Sequence, residues 1–351
     1  MISIRAIVLA AGKSTRFGAY FNKLLTPLCG MPLVTHITDL LQACALSTTV
    51  VVGHLKEQVT AAITAQSSQV TFVTQEEPLG TGHALLCSVQ LWDSDHLLVL
   101  NGDMPLITQE LINQLIQTHA ATGAAVSFVM AYPDTLNHAY GRVVINGDSV
   151  EIIENKDFTG DRSVAYPINA GIYIFKRSFL KKYAAELQPN NAQKQLYVTD
   201  LIGIASRATL GCNPVLVDYA LVHGVNTLAE FAAVTAVMRE RIMLRWLNAG
   251  VLIEDPATTW IDATVTIGEG TRIASGVHLR GTTTVGMKVV IEPYAVIKDS
   301  TLHDMVTIQS HSVIEQSIVP AHSIVGPCAH MQLNKITIPT NTSPSSSAYH
   351  L

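Results

Sequence analysis

Aliphatic residues recur every six positions through the last third of this chain, and very few architectures accommodate that period. Ile261, Ile267, Ile273, Leu279, Val285, Ile291 and Ile297 keep it strictly. Leu302, Ile308 and Ile314 resume it after one five-residue step, and Val319, Val325 and Met331 after another. Helices repeat every 3.6 residues and strands every two, so neither buries such a series on one face. A parallel β-helix does, because each coil is three short strands and each strand points an aliphatic side chain inward. Turn formers often follow these positions, as in Ile267-Gly268, Val285-Gly286 and Val325-Gly326. The span predicts roughly four coils.

Upstream the pattern is different. Apolar runs at Ser3–Ala10, Thr48–Gly53, Val70–Thr74, Leu97–Asn101 and Ala124–Ala131 alternate with helical patterns beginning at Pro32, Leu55, Gly82 and Thr108. Such alternation predicts an α/β fold with a mixed, mostly parallel sheet. Arg142–Ile145 and Val150–Glu154 flank Asn146-Gly147, a hairpin signal. A strand over Ile168–Phe175, helices over Arg177–Leu187 and Tyr197–Arg207, and a short strand at Val215–Val217 follow. Thr227 with Glu230 makes a capping box for a helix to Asn248, and Gly250 suits its stop. The expected division is an α/β domain over residues 1–226, a connecting helix over 227–250, a β-helix over 251–331 and a tail over 332–351.

Composition narrows the function. With 48% hydrophobic and 14% charged residues, the chain is not disordered. A formal charge of -5 supplies no basic field for nucleic acid. No apolar run is long enough to span a bilayer and no signal-peptide pattern opens the chain, so a cytoplasmic protein is expected. The five cysteines form no C-x-x-C and are expected to be free thiols.

Four groups of residues carry chemistry. The loop Leu9-Ala10-Ala11-Gly12-Lys13-Ser14-Thr15-Arg16 leaves a buried strand, where small residues let phosphate oxygens approach backbone N–H groups. Lys13, Arg16 and Lys23 add the positive charge that a triphosphate and a pyrophosphate leaving group require. The alternative is a tight turn with three solvated cations. Gln75, followed by Gly80-Thr81-Gly82-His83-Ala84, carries an amide that matches O4 and N3–H of uracil, unless the segment is only a turn and helix start. Asp103 ends a strand where open α/β sheets bind ligands, and it suits Mg²⁺ with the Asn226 carbonyl oxygen as a second ligand. A plain turn former and a second helix cap are the alternatives. Gly141, Glu154 and Asn169 lie on later strands, where carboxylate and amide groups read sugar hydroxyls or serve structure alone.

Taken together and in order, these motifs resemble the bifunctional N-acetylglucosamine-1-phosphate uridylyltransferase family, GlmU. The resemblance rests on Leu9–Arg16, Gln75 with Gly80–Ala84, Gly102-Asp103, Tyr140-Gly141-Arg142, Glu154 with Lys156-Asp157, Ile168-Asn169, Tyr197-x-Thr199-Asp200 and Gly224-Val225-Asn226. It covers about residues 3 to 331. It implies a Rossmann-like nucleotidyltransferase domain followed by a short left-handed β-helix. It also implies transfer of a uridylyl group from UTP to N-acetylglucosamine 1-phosphate or a similar sugar phosphate.

By that resemblance Arg16, Lys23 and Asp103 are catalytic. Leu9, Ala11, Gly12, Lys13, Gln75, Gly80 and Thr81 bind the nucleotide. Gly141, Glu154, Asn169 and Thr199 hold the sugar, Asp103 and Asn226 hold Mg²⁺, and a homotrimer is implied if these coils suffice. The family's further coils, which carry its acetyltransferase site, lie beyond the match, so no acetyltransferase activity is expected. Ser14, Asn22, Asn101 and His223 stand where the family has Gly, Pro, Tyr and an acidic residue. Transfer to another sugar 1-phosphate and non-catalytic nucleotide-sugar binding are the alternatives.

Overall fold

A computed structural model describes residues 2–18, 20–67, 69–136 and 138–337. Two compact units are present. One joins the chain up to Pro27 with Pro32–Val234, and the other joins Leu28–Met31 with the chain from Thr235 onward.

The first unit is built on strands β1 (Ile4–Ala10), β2 (Ser47–Val52), β3 (Val70–Thr74), β4 (His96–Asn101), β5 (Val126–Ala131), β6 (Arg142–Asn146), β7 (Ser149–Ile153), β8 (Ile168–Lys176) and β9 (Cys212–Leu216). Their order in the main sheet is β9-β5-β8-β4-β1-β2-β3. All neighbours pair parallel except β8, which runs antiparallel to both β4 and β5. The sheet is therefore mixed and mostly parallel, as the alternation predicts. Its central strands are buried on both faces, which is why they read as continuous Val/Ile/Leu runs. Ile7, Val51, Val99, Phe128, Tyr173 and Phe175 share one core cluster, and each such side chain contributes roughly 1.5–3 kcal/mol on burial.

Helices α1 (Leu33–Ala43), α2 (Lys56–Gln66), α3 (Thr81–Cys87), α4 (Gln109–Thr122), α5 (Arg177–Tyr183) and α6 (Asp200–Arg207) pack against the sheet. Thr108 caps α4 by accepting from the Leu111 N–H at 3.3 Å. Three predicted helices are shorter than expected: Gly82–Trp92 breaks into α3 and a 3₁₀ turn, Arg177–Leu187 breaks into α5 and a 3₁₀ turn, and helix begins at Asp200 rather than Tyr197. The expected hairpin forms between β6 and β7, but one residue later than expected: Asn146 pairs with Ser149, so the two-residue loop is Gly147-Asp148, with Gly147 at φ 59°. Helix α7 (Leu228–Asn248) starts at the predicted box: Glu230 N–H donates to Thr227 Oγ1 at 3.1 Å, and Thr227 N–H donates to Glu230 Oε2 at 2.9 Å.

In the second unit, short strands stack into three parallel sheets, one per face of a left-handed β-helix. All thirteen aliphatics of the six-residue series are buried in its single core cluster. The two five-residue steps fall at one corner, so coil partners change from 18 apart (His278↔Val296) to 17 apart (Val296↔Val313). Hydroxyls hold that corner together. Thr283 Oγ1 accepts from Ser300 N–H, Ser300 Oγ from Ser317 N–H, and Ser317 Oγ from Asn334 N–H. On one of the three faces Lys335–Thr337 turns back antiparallel onto His330–Gln332 and covers the last strand of that sheet. The tail expected over 332–351 therefore begins later than expected, since residues 332–337 belong to this strand pair, and its remainder, 338–351, lies outside the described residues. The Leu28–Met31 turn was not foreseen as part of this unit. Cys29 O accepts from Ala263 N–H at 2.8 Å, and a Cβ on Gly30 (φ 87°) would meet the Asp262 carboxyl group.

Among the described residues no helix is long and apolar enough to cross a membrane. All five cysteines are free, as expected.

Candidate active site

The strand order reverses between β1 and β4, which pair in parallel with Leu9 opposite Asn101. Open α/β sheets bind ligands outside the carboxyl ends of strands at such a switch. Gly102 N–H donates to Leu9 O at 3.0 Å, so the loop after β1 and the turn after β4 leave the sheet side by side.

A cavity of about 510 Å³ opens there. It is lined by Leu9, Ala11, Gly12, Lys13, Arg16, Lys23, Gln75, Gly80, Thr81, Asp103 and Asn226. The structure thus brings together every residue that the sequence assigns to nucleotide, metal or catalysis. Asn101, Pro78, Ala84 and Gln195 also line it.

Local chemistry explains the loop. Ser14 sits in the left-handed region at φ 53°, a conformation that costs a non-glycine residue roughly 1–2 kcal/mol. Thr15–Phe17 then forms a 3₁₀ turn, closed by Phe17 N–H to Ser14 O at 3.0 Å. Phe17 is fully buried and meets Phe231 edge-on at 5.8 Å, which anchors the turn that presents Arg16. A Cβ placed on Gly12 would meet no protein atom within 4 Å, so packing within the chain does not call for glycine there.

Two of the three cations, Lys23 and Arg16, have side-chain partners across the cavity. Lys23 Nζ donates to Asp103 Oδ2 at 2.5 Å, with side chains only 10% and 20% exposed. Lys23 is held by an Asx turn, in which Asn22 Oδ1 accepts from the N–H groups of Leu24 and Leu25. Arg16 Nη2 donates to Asn226 Oδ1 at 2.9 Å. Asn226 N–H in turn donates to Glu230 Oε2 at 2.7 Å, and the neighbouring Val225 N–H donates to Asp103 O at 2.9 Å. Asn226 is therefore tied to Asp103 through one residue of backbone. The α7 cap is Thr227, not Asn226.

That donor set fits Mg²⁺, which takes one or two protein oxygens and fills its remaining positions with phosphate and water. Among the described residues there is no group of three His, Cys, Asp or Glu to form an all-protein cage.

Gln75 is buried beside Gly80. Gly80 has φ 108°, and a Cβ there would strike Leu196 O. Leu196 also accepts from Gly82 N–H at 2.8 Å, while Val198 N–H donates to Thr81 Oγ1 at 3.0 Å. Residues 195–198 thus buttress the 80–82 turn. Sequence reasoning missed this support, and Gln195 with it, because nothing local marks a contact made across more than a hundred residues.

Gly141, Glu154, Asn169 and Thr199 form a second cluster and are not among the residues lining the 510 Å³ cavity. Thr199 Oγ1 donates to Glu154 Oε1 at 3.1 Å, and Asn169 N–H donates to Gly141 O at 2.9 Å. Asn169 pairs opposite Met130, the register of β8 against β5 shifts between it and Tyr173, and the Asn169 amide donates to Tyr173 Oη at 2.7 Å. Burial pushes the Glu154 carboxyl above its ordinary range. Burial, then the Asp157 charge, raises Asp200 to about 6.

The chain matches the MobA-like NTP transferase domain over residues 6–240 and the GMPPB C-terminal domain over residues 260–341. It is 36% identical over 333 residues to the bifunctional protein GlmU of Trichlorobacter lovleyi, covering 93% of this chain and 72% of that protein. The GlmU of Geotalea uraniireducens is 36% identical over 338 residues, with 95% and 74% covered. Among solved structures, a CMP:2-keto-3-deoxy-manno-octonic acid synthetase complexed with CTP superposes with TM-score 0.52 at 20% identity, covering 68% of this chain and 99% of that one. A putative glucose-1-phosphate thymidylyltransferase from Bacillus anthracis gives 0.53 at 19% identity, covering 67% and 95%. At those identities the two structures speak for the fold alone. The extent and identity of the sequence matches, over a Rossmann-like unit with its cation-lined cleft and a β-helix, place this chain in the GlmU family of sugar-phosphate nucleotidyltransferases.

Proposed function

We propose that this chain transfers the uridylyl group of UTP to N-acetylglucosamine 1-phosphate and releases pyrophosphate. One observation carries the proposal: Arg16, Lys23, Asp103 and Asn226 converge on a cavity that Gln75 and Gly80 also line. A phosphate-neutralising end and a base-reading end thus share one cleft.

In the proposed reaction a phosphate oxygen of the sugar 1-phosphate attacks the α-phosphorus of UTP. The new P–O bond forms as the bond to the β-phosphate breaks, and pyrophosphate departs opposite the nucleophile. That oxygen is already anionic, so no side chain has to remove a proton. Catalysis reduces to alignment and charge neutralisation. Arg16, Lys23 and Lys13 steady the phosphates, and the loop around Gly12 lets backbone N–H groups approach them. Asp103 and Asn226 would hold Mg²⁺, which supplies further neutralisation of charge on the transferring phosphates. Gly141, Glu154, Asn169 and Thr199 bind the sugar through hydroxyl-directed hydrogen bonds. A cytoplasmic site of action suits these substrates.

The test is pyrophosphate release from each nucleoside triphosphate crossed with a panel of sugar 1-phosphates, with and without Mg²⁺. UTP with N-acetylglucosamine 1-phosphate is expected to give the highest kcat/KM, and only with the metal. Tight UTP binding without turnover on any sugar phosphate refutes transfer. A higher kcat/KM for a different sugar moves the substrate and points to Asn101, which lines the cavity.

A further inference from the structure

We infer that His83 is a positioning residue for base selection, acting by locking the orientation of the Gln75 amide; the inference rests on the uridylyl reading above. Gln75 Nε2 lies 3.0 Å from Gly80 O and 3.0 Å from His83 Nδ1. A carbonyl oxygen only accepts, so the amide nitrogen, not its oxygen, faces Gly80. The same nitrogen then donates its second hydrogen to His83 Nδ1. His83 must accept there, which places its own proton on Nε2, facing Cys87 Sγ at 4.0 Å. Burial raises the Cys87 pKa, which keeps that sulfur a thiol.

With both N–H hydrogens committed, Gln75 cannot also donate to uracil O4 as the sequence suggests; its Oε1 is the amide atom left for the cavity, and it takes no hydrogen bond among the described residues. A fixed acceptor suits a base edge that donates. Uracil carries N3–H and satisfies it, whereas cytosine presents an unprotonated N3 and sets acceptor against acceptor. Without His83 the amide has one tether, to Gly80, and its orientation is no longer doubly determined. His83 thereby converts an ambidextrous amide into a donor-selective reader.

The experiment compares kcat/KM for UTP and CTP, each with N-acetylglucosamine 1-phosphate, in wild type, His83→Leu and His83→Asn. His83→Leu is expected to lower the UTP-over-CTP ratio at least tenfold through a raised KM for UTP, with kcat near wild type. His83→Asn restores the ratio, because its Oδ1 takes the place of the imidazole Nδ1 acceptor. Imidazole ¹⁵N shifts of the wild-type protein are expected to show the His83 proton on Nε2, a readout independent of whether a variant folds. A proton on Nδ1 overturns the inference. A UTP-selective wild type whose His83→Leu variant keeps the ratio overturns it alone, whereas a wild type without preference for UTP overturns the uridylyl reading and this inference together.

Discussion

Lys23 donates to Asp103 across 80 residues of chain, joining the segment after β1 to the turn after β4 in a largely buried ion pair. Each member has two tasks. Lys23 neutralises Asp103 while the cleft is empty, and in the proposed reaction both face the triphosphate.

Removing either partner is therefore expected to affect catalysis and folding together. Asp103→Ala should reduce pyrophosphate release a hundredfold or more, of order ~3 kcal/mol in the barrier. Lys23→Met leaves a largely buried carboxylate without its cation and should cost about 1–3 kcal/mol of stability by denaturant melts. The double variant Lys23→Met/Asp103→Asn should be more stable than the summed effects of Lys23→Met and Asp103→Asn predict, since no charge is left unpaired. Strict additivity in that cycle would show the pair to be energetically uncoupled.

Arg16 and Asn226 make the second bridge. Asn226→Ala should raise the Mg²⁺ concentration needed for half-maximal rate several-fold, while Arg16→Ala should lower kcat at saturating Mg²⁺ by roughly a hundredfold, about 3 kcal/mol. The readout is a Mg²⁺ titration of pyrophosphate release for each variant. Unchanged metal dependence in Asn226→Ala would remove that residue from the metal site.

Ser14 occupies a left-handed position that glycine adopts without strain. Ser14→Gly should raise stability by about 0.5–1 kcal/mol, the relief of strain being partly offset by added freedom of the unfolded chain. Ser14→Val should lower it. A thermal melt of the three proteins decides the order.

His119 is buried and bonded to Ser127 Oγ at 2.8 Å and to His96 Nδ1 at 2.9 Å. Burial, then the neighbouring His96 and Lys176 charges, depress its pKa to about 4. The unfolded chain takes up this proton near pH 6.5, and the folded chain resists it until about 4. Stability from this group is complete above pH 6.5 and declines as pH falls across that window, by at most ~3 kcal/mol. Asp200, raised to about 6, has the opposite slope between its ordinary value and 6. The measurement is accordingly the difference in unfolding free energy between wild type and His119→Gln as a function of pH. A difference that does not change between pH 7 and 4.5 refutes the assignment.

Much of the fold was legible because its signals are local. The six-residue series needs only side chains that alternate in and out along each short strand, and every predicted inward residue is buried. The Thr227–Glu230 box spans four residues, and the hairpin loop Gly147-Asp148 spans two. The helix starting at Asp200 was overextended because Tyr197 and Val198 are buried, like helical residues, while Val198 N–H is diverted to Thr81. The Leu28–Met31 turn was illegible, since its partner Ala263 lies more than two hundred residues away.

By itself, then, the amino-acid sequence determined the order of elements, the coil period with its two shortened corners, and which segments carry cations, amides and carboxylates. It could do so because caps, turns and periodicities act over a few residues. Only the tertiary structure decided that Lys23 meets Asp103 and that Arg16 meets Asn226, partners 80 and 210 residues apart. Those meetings follow from the strand order, which sets β1 beside β4 and brings their loops out together. Strand order is chosen by the burial of the whole sheet, a sum over many distant contacts that no short stretch of sequence contains.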